Sequence, residues 1–323
     1  MLPREYCSRL MALLALSVTL LNATPAVAEP EPGVELLADT VEVTPGQTVN
    51  LAVKFNIPEA SYIFWQNPGD LGEAPAIQWT SPNAEYFGVL RFPAPEKLDV
   101  EGGGRAYVLR YEPVLLGQLT VSAEAAPGTR LQIQGQLDWV EGTPNEAHDR
   151  RTTLALSLPI VSPGSEPGAA NEEVFAEAAY SMPVPPTRAK HVKLHAELKP
   201  SYVTTGESAI AVISVSINKG FHVQAHDPGA RGLIGLDLFF VPPPGVTVHE
   251  PAYPEGKSRE VKYLGKVNEY VGQVRLEAPL RVDKTFKGGE LSGLLRYQAC
   301  DEKTGVCFPP EDVAWSLNLP VGK

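Results

Sequence analysis

The sequence predicts an all-β protein made of two tandem sandwich domains, and three observations support that prediction. The chain has 323 residues, which is too long for one ordinary core and suits two domains of middling size. It contains 31 prolines and 28 glycines but only 8% aromatic residues, a composition typical of many turns between short strands. Between the turns, apolar residues alternate with polar ones, as expected for strands with one buried face.

Residues 1–28 have the features of a secretory signal peptide. Arg4 and Arg9 form a short basic region, an apolar run extends from Leu10 to Leu21, and Ala26-Val27-Ala28 matches a small-residue cleavage site. We therefore expect a mature chain that begins at Glu29 and is periplasmic or otherwise exported. No later stretch approaches the ~20 apolar residues of a spanning helix, so no membrane span is expected in the mature chain.

The composition also argues against several classes of function. The formal net charge is −11 at pH 7 and no basic run is visible, so nucleic acid is not an expected partner. The sequence contains no glycine-rich phosphate loop and no serine-nucleophile elbow. His222 and His226 share parity and could bracket a metal with Asp227, but further ligands are not nearby, so we expect no metal and no cofactor.

The strands of the first domain occupy residues 29–161. Two of its runs alternate regularly, and they comprise Val49, Leu51, Val53, Phe55 and Ile57, then Leu131, Ile133, Leu137 and Trp139. Turn signals such as Pro68-Gly69-Asp70 and Pro127-Gly128 separate such runs.

Residues 162–190 have the composition of a linker between domains. Prolines and glycines open and close the segment, and residues Asn171–Tyr180 between them could form a short helix. We expect the prolines to stiffen the segment and find no apolar period that could form a core. The second domain therefore comprises residues 191–323, where alternating runs resume.

The two domains end on similar hairpins. In the first, residues 135–139 lead through a polar loop to Leu154, and in the second, residues 293–297 lead through a loop to Trp315. On that register Gly142 and Glu146 occupy the places of Cys300 and Cys307. The first domain therefore looks like a copy of the second without cysteines.

Cys300 and Cys307 are the only cysteines after the predicted leader, which contains Cys7. In an oxidising compartment they would most simply form one disulfide. Strand parity places Tyr297 and Ala299 on the buried face, and turns Leu294 and Cys300 to the accessible side. The short ring would stabilise the fold by about 2.5 kcal/mol in the loop-entropy model, and spacing alone leaves both a structural staple and a redox-active bond open.

The cysteine hairpin resembles that of the N-terminal periplasmic domain of the thiol:disulfide interchange protein DsbD. The similarity covers residues 191–323 and is carried by Tyr297-Gln298-Ala299-Cys300, Cys307-Phe308-Pro309-Pro310-Glu311, Gly220-Phe221-His222-Val223 and residues 264–270. The first domain is similar to the N-terminal module of DsbD-like suppressor-of-copper-sensitivity proteins. That second likeness rests on residues 62–72 and 92–96, and the usual cysteines are absent.

This resemblance implies an immunoglobulin-like sandwich whose cysteine pair cycles between dithiol and disulfide. It implies that Cys307 forms the mixed disulfide with a partner and that Cys300 resolves it. Tyr263 and Leu264 would form a cap over the pair, although Val261 and Lys262 replace the acidic residues usual there. The supporting hairpin residues would be Tyr297, Phe308 and Pro309.

The resemblance also implies partners. The chain has no Cys-x-x-Cys motif and none of the membrane or thioredoxin-like domains of DsbD, so electrons would come from a separate thioredoxin-like or membrane thiol reductase and pass to exported disulfide-bearing proteins. We expect a monomer in which the first domain serves docking or spacing. The alternative is a non-catalytic immunoglobulin-like binding module with a structural disulfide. Because the first hairpin lacks thiols, the fold does not require them, which favours a functional bond.

Overall fold

The computed structural model describes residues 33–99 and 104–322. The predicted signal peptide lies outside these residues, so its cleavage stays a prediction. The described chain consists mostly of antiparallel strands, which confirms the all-β prediction. Residues Glu31–Lys323 form one compact unit.

The N-terminal half forms a sandwich of two sheets. Its strands are β1 (Gly33–Ala38), β2 (Thr48–Asn56), β3 (Tyr62–Gly69), β4 (Ala76–Thr80), β5 (Ala84–Phe87), β6 (Glu96–Asp99), β7 (Arg105–Arg110), β8 (Val114–Val121), β9 (Arg130–Gly142) and β10 (Ala147–Pro159). One sheet has the order β1-β2-β8-β5, and the other has the order β10-β9-β3-β7-β6 with β4 also paired to β9. The alternating apolar residues, among them Phe55, Leu119 and Ile133, fill the space between the sheets.

The segment between the halves contains α1 (Glu172–Ser181), close to the predicted helix at Asn171–Tyr180, followed by a 3₁₀ turn at Pro186–Arg188. Two glutamates open α1, where they complement the helix dipole. Ala178 is buried against Ala52 and Leu116 on the outer face of the first sheet, so α1 packs on the N-terminal half. Within the described residues, no helix is long and apolar enough to cross a membrane.

The C-terminal half repeats the antiparallel architecture. Its strands are β11 (Val192–Lys199), β12 (Ser208–Ile217), β13 (Phe221–Gln224), β14 (Asp237–Val241), β15 (Val246–Val248), β16 (Lys257–Val261), β17 (Gly265–Tyr270), β18 (Gln273–Val282), β19 (Gly289–Tyr297), β20 (Ala299–Asp301) and β21 (Glu311–Leu319). They form three sheets with the orders β11-β12-β18-β15, β16-β17-β13-β20 and β14-β19-β21 around a second apolar core. None of the described sheets takes strands from both halves, while the exact domain boundaries stay a prediction.

The outer face of β14 and β19 packs against the N-terminal half. Phe239 of β14 is buried with its ring centroid 6.2 Å from that of Trp65 and 5.5 Å from that of Tyr107. The guanidinium of Arg296 lies 5.2 Å from the Phe239 centroid, a cation–π distance. Leu294 is buried in the same cluster, so the prediction that it is accessible was wrong. Strand parity correctly indicated which face of the sheet Leu294 lies on, but the N-terminal half covers that face.

Candidate functional site

The cysteine hairpin begins in one sheet and crosses into another. β19 pairs with β21 as far as Tyr297 opposite Glu311, and then β20 pairs with β13, with Cys300 opposite His222. Gln298 stands at the crossing, where its side-chain amide donates to the Phe308 carbonyl at 3.2 Å. The crossing places the cysteines at the edge of the β16-β17-β13-β20 sheet.

Cys300 and Cys307 form the predicted disulfide. The hairpin loop folds back along β20, because the Asp301 N–H donates to the Val306 carbonyl and the Phe308 N–H donates to the Ala299 carbonyl, both at 2.9 Å. Cys307 is exposed. Cys307 thus lies at the surface of the protein.

Cys300 is only 1% exposed, which corrects the prediction that it stands on the accessible side. Parity was right, because Ala299 faces the core and Cys300 points to the opposite face. That face is itself closed by Gln224 and by the bond to Cys307. The disulfide therefore joins one exposed and one buried cysteine.

The buried face around Cys300 is polar. Cys300 pairs with His222, and Gln224 pairs with Glu269, so period-two alternation brings all four side chains to one side of the sheet. His222, Gln224 and Glu269 are all buried, and they make up half of the buried polar residues in the described chain. Buried polar groups need hydrogen-bond partners, and here some of those partners are the cysteine sulfurs.

Gln224 contacts the disulfide directly. Its Nε2 donates to Cys300 Sγ at 3.1 Å and lies 4.0 Å from Cys307 Sγ. Its Oε1 is buried and has no hydrogen-bond partner. This orientation suits a disulfide, because a bonded sulfur can accept a hydrogen bond but has no hydrogen to donate.

His222 belongs to a charged cluster beside this contact. Its Nε2 lies 3.5 Å from Glu269 Oε2 and 3.4 Å from a guanidinium nitrogen of Arg259. Arg259 in turn pairs with Glu269 through two nitrogens, at 3.0 and 2.9 Å. Burial lowers the pKa of His222 below its ordinary value, and the Glu269 carboxylate opposes that shift without reversing it.

Aromatic packing supports the far side of the hairpin. The Phe308 ring stacks on His191 with centroids 4.7 Å apart, and His191 contacts Phe221 at 4.6 Å. The Tyr297 hydroxyl donates to the Glu311 carboxylate. Burial, together with this bond, raises the pKa of Tyr297, so the hydroxyl keeps its proton. Tyr297 and Phe308 thus lie where a supporting role requires them, whereas Pro309 is exposed.

The two predicted cap residues are exposed. Tyr263 and Leu264 form the turn between β16 and β17, and their side chains are 91% and 47% exposed. The Tyr263 ring contacts Lys262, whose Nζ lies 4.9 Å from its centroid. The role of these two residues as a cap over the cysteine pair stays a prediction.

His226 does not join His222. Its Nδ1 lies 2.8 Å from the Asp237 carboxylate and its ring stacks on Tyr253. The hydrogen bond to Asp237 raises the pKa of His226. Among the described residues, no group of three His, Cys, Asp or Glu side chains could hold a metal.

Sequence reasoning missed Gln224, Glu269 and Arg259 as neighbours of the cysteines. A signal for Gln224 was present, since it follows His222 by two residues in a strand and so shares its face. The pairing that brings this strand to Cys300 spans 76 residues, and no local pattern encodes it.

Comparisons with known proteins identify a family for this chain. A family model described as the N-terminal part of the thiol:disulfide interchange protein DsbD matches residues 34–140 and 188–318, well over half of the chain. No curated protein matches the chain in sequence.

Many solved structures resemble the chain, among them the following two. The N-terminal periplasmic domain of ScsB from Proteus mirabilis has a TM-score of 0.51 and 15% identity, and the alignment covers 93% of this chain and 96% of that one. The reduced N-terminal domain of Neisseria meningitidis DsbD has a TM-score of 0.28 and 20% identity over 42% of this chain and 89% of that one. The first likeness confirms the predicted immunoglobulin-like sandwich fold, and the family match shows that the chain belongs to the family of the N-terminal domain of the thiol:disulfide interchange protein DsbD.

Proposed function

We propose that this protein is a periplasmic thiol:disulfide interchange protein that relays electrons through Cys300 and Cys307. The observation that carries the proposal is the asymmetry of the disulfide, in which Cys307 is exposed and Cys300 is buried against an amide donor. A structural staple has no need of an exposed sulfur beside a buried one. Exposed disulfides are also the ones that exchange readily.

The exposed sulfur sets the order of steps. A thiolate of a thioredoxin-like or membrane reductase attacks Cys307 Sγ, the bond between the two sulfurs breaks, and Cys300 leaves as a thiolate. The second thiol of the reductase, as its thiolate, then attacks the reductase sulfur of the mixed disulfide and releases Cys307. Two electrons and two protons reach the pair, and the reductase is left with a disulfide.

Electron delivery reverses these roles. The Cys307 thiolate attacks a disulfide of an exported protein and forms a mixed disulfide, and the Cys300 thiolate then attacks Cys307 Sγ. This second attack frees the reduced protein and restores the original bond. Cys307 is thus the interchange residue and Cys300 the resolving residue.

Tyr263 and Leu264 supply a cap in this proposal. They form the exposed tip of a hairpin whose strand β17 is separated from β20 by β13 alone. An apolar tip that is open in one state can move onto the cysteines in another and withdraw when a partner docks.

Single cysteine variants test the relay. Bacterial thioredoxin whose resolving cysteine is replaced by serine, and whose remaining cysteine carries thionitrobenzoate as a leaving group, is mixed with Cys300→Ser or with Cys307→Ser, and mixed disulfides are counted on non-reducing gels. We expect Cys300→Ser to trap thioredoxin through the exposed Cys307, and Cys307→Ser to trap at least tenfold less because Cys300 is buried. If neither variant forms a mixed disulfide while both keep the native circular dichroism, the bond is a staple in a binding module.

A further inference from the structure

The two halves of the chain differ on the face that surrounds Cys300. Tyr62 pairs with Gly142 as His222 pairs with Cys300, so the hairpin register places Tyr62 at the position of His222 and Phe64 at that of Gln224. Phe64 pairs with Val108 as Gln224 pairs with Glu269. In the N-terminal half this face is thus an apolar cluster, formed by Tyr62, Phe64, Ala106 and Val108.

The apolar copy shows that the sandwich does not require an amide at the position of Gln224. A buried amide with an unpartnered oxygen destabilises a fold, and Gln224 Oε1 is such an oxygen. An unpartnered polar group in a native structure calls for an explanation, of which a role in redox chemistry is one. Gln224 Nε2 lies 3.1 Å from Cys300 Sγ, which would react in the relay. A role in redox chemistry therefore explains the buried amide.

We propose that Gln224 is a catalytic residue of the interchange reaction, which stabilises Cys300 as the leaving thiolate. This inference rests on the proposed function and adds a residue to it. When a partner thiolate attacks Cys307 Sγ, the electron pair of the broken bond passes to Cys300 Sγ. The Gln224 Nε2–H group already points at that atom, so no reorganisation is needed as the charge forms.

The hydrogen bond strengthens as the reaction proceeds. A disulfide sulfur is a weak neutral acceptor, whereas a thiolate is charged, and hydrogen bonds to charged acceptors are about twice as strong. A leaving thiol with a lower pKa also leaves faster. Gln224 therefore favours both the rate of opening and the reduced state of the pair.

The unpartnered Gln224 Oε1 can accept a hydrogen bond after Cys300 has become a thiol. Once Cys300 takes up a proton from solvent, its S–H group is a donor, and Gln224 Oε1 is a buried acceptor on the same side chain. One amide can thus satisfy the thiolate through nitrogen and the thiol through oxygen. The other charged or titratable groups on this side are His222, Glu269, Arg259 and Glu302, and the first three contact one another.

The test is Gln224→Met, which keeps a long unbranched side chain and removes both polar atoms. In the full chain we measure the equilibrium with dithiothreitol and the rate at which it opens the disulfide. We expect the equilibrium constant to shift about tenfold towards the disulfide, which is about 30 mV for a two-electron couple, and the rate to fall about tenfold.

The matched control is Gln298→Met. The Gln298 side chain donates to the Phe308 carbonyl and accepts from the Ile234 N–H, and it makes no bond to either sulfur. Its loss should therefore leave both values within twofold. A third measurement titrates the thiolate absorbance of Cys300 in the Cys307→Ser background. Gln224→Met should raise that pKa, whereas a purely structural role would leave it unchanged.

Two results would overturn the role of Gln224. One is an unchanged equilibrium and rate in Gln224→Met, and the other is an equal shift in Gln298→Met. Near-ultraviolet circular dichroism checks folding, and Gln224→Leu replaces the methionine variant if it misfolds. Failure of the proposed relay is a separate outcome, seen in the wild-type chain. There the disulfide would form no mixed disulfides with a partner, although its equilibrium with dithiothreitol could still be measured.

Discussion

The two terminal hairpins have a common sequence plan and different structures. In the N-terminal half, β9 runs unbroken from Arg130 to Gly142 and pairs with β10 along its whole length. In the C-terminal half the corresponding strand breaks after Tyr297 and crosses to another sheet as β20. The break places Cys300 on a strand at a sheet edge, and its disulfide partner Cys307 is exposed.

The side chains that surround the two hairpins also differ. A Cβ atom added at Gly142 would lie 2.2 Å from the Tyr62 ring, so an aromatic side chain fills the space that a cysteine would need. At the corresponding place in the C-terminal half, Cys300 faces His222 and Gln224. The fold itself therefore accepts an apolar lining, and the polar lining accompanies the cysteines.

The largest expected effect on stability comes from replacing Phe64 by glutamine, the residue that the C-terminal half has at the corresponding position, Gln224. Phe64→Gln should reduce the free energy of unfolding by about 3–5 kcal/mol, because it removes a buried ring and buries an unpartnered amide. Gln224→Met should change it by less than about 1 kcal/mol, since it removes an amide that is already partly unsatisfied. Urea denaturation measures both values.

Equal losses of unfolding free energy in Phe64→Gln and Gln224→Met would contradict this difference between the halves. They would mean that the polar face of the C-terminal half supports folding as much as the apolar face of the N-terminal half does. Phe64→Leu is the control, because it keeps the cluster apolar and should destabilise less than Phe64→Gln.

A smaller effect is expected where Tyr62 fills the place of the cysteine. Gly142→Ala should reduce stability by about 1–3 kcal/mol, the usual result of overpacking. Gly33→Ala is the control, since a Cβ there meets nothing within 4 Å. In a Tyr62→Ala background the loss caused by Gly142→Ala should disappear, and a thermal-melt double-mutant cycle measures that coupling. An undiminished loss would show that Tyr62 is not what excludes a side chain at position 142.

Much of this picture could be predicted from local patterns. Alternation identified the strands and the face of Cys300, and two thiols in an exported chain indicated one disulfide. The pattern could not show that Leu294 and Cys300 are both buried on their outward side, because the covering groups come from distant segments. It also could not show the break at Gln298, since both sheets accept the same alternating residues.

The central claim is that the C-terminal hairpin carries a disulfide that exchanges. The most direct test is the reduction potential of Cys300 and Cys307 in the wild-type chain, measured against glutathione and dithiothreitol, together with exchange with thioredoxin. We predict a potential above about −300 mV and reversible exchange. A potential far below that value, with no exchange, would contradict it and leave a structural bond.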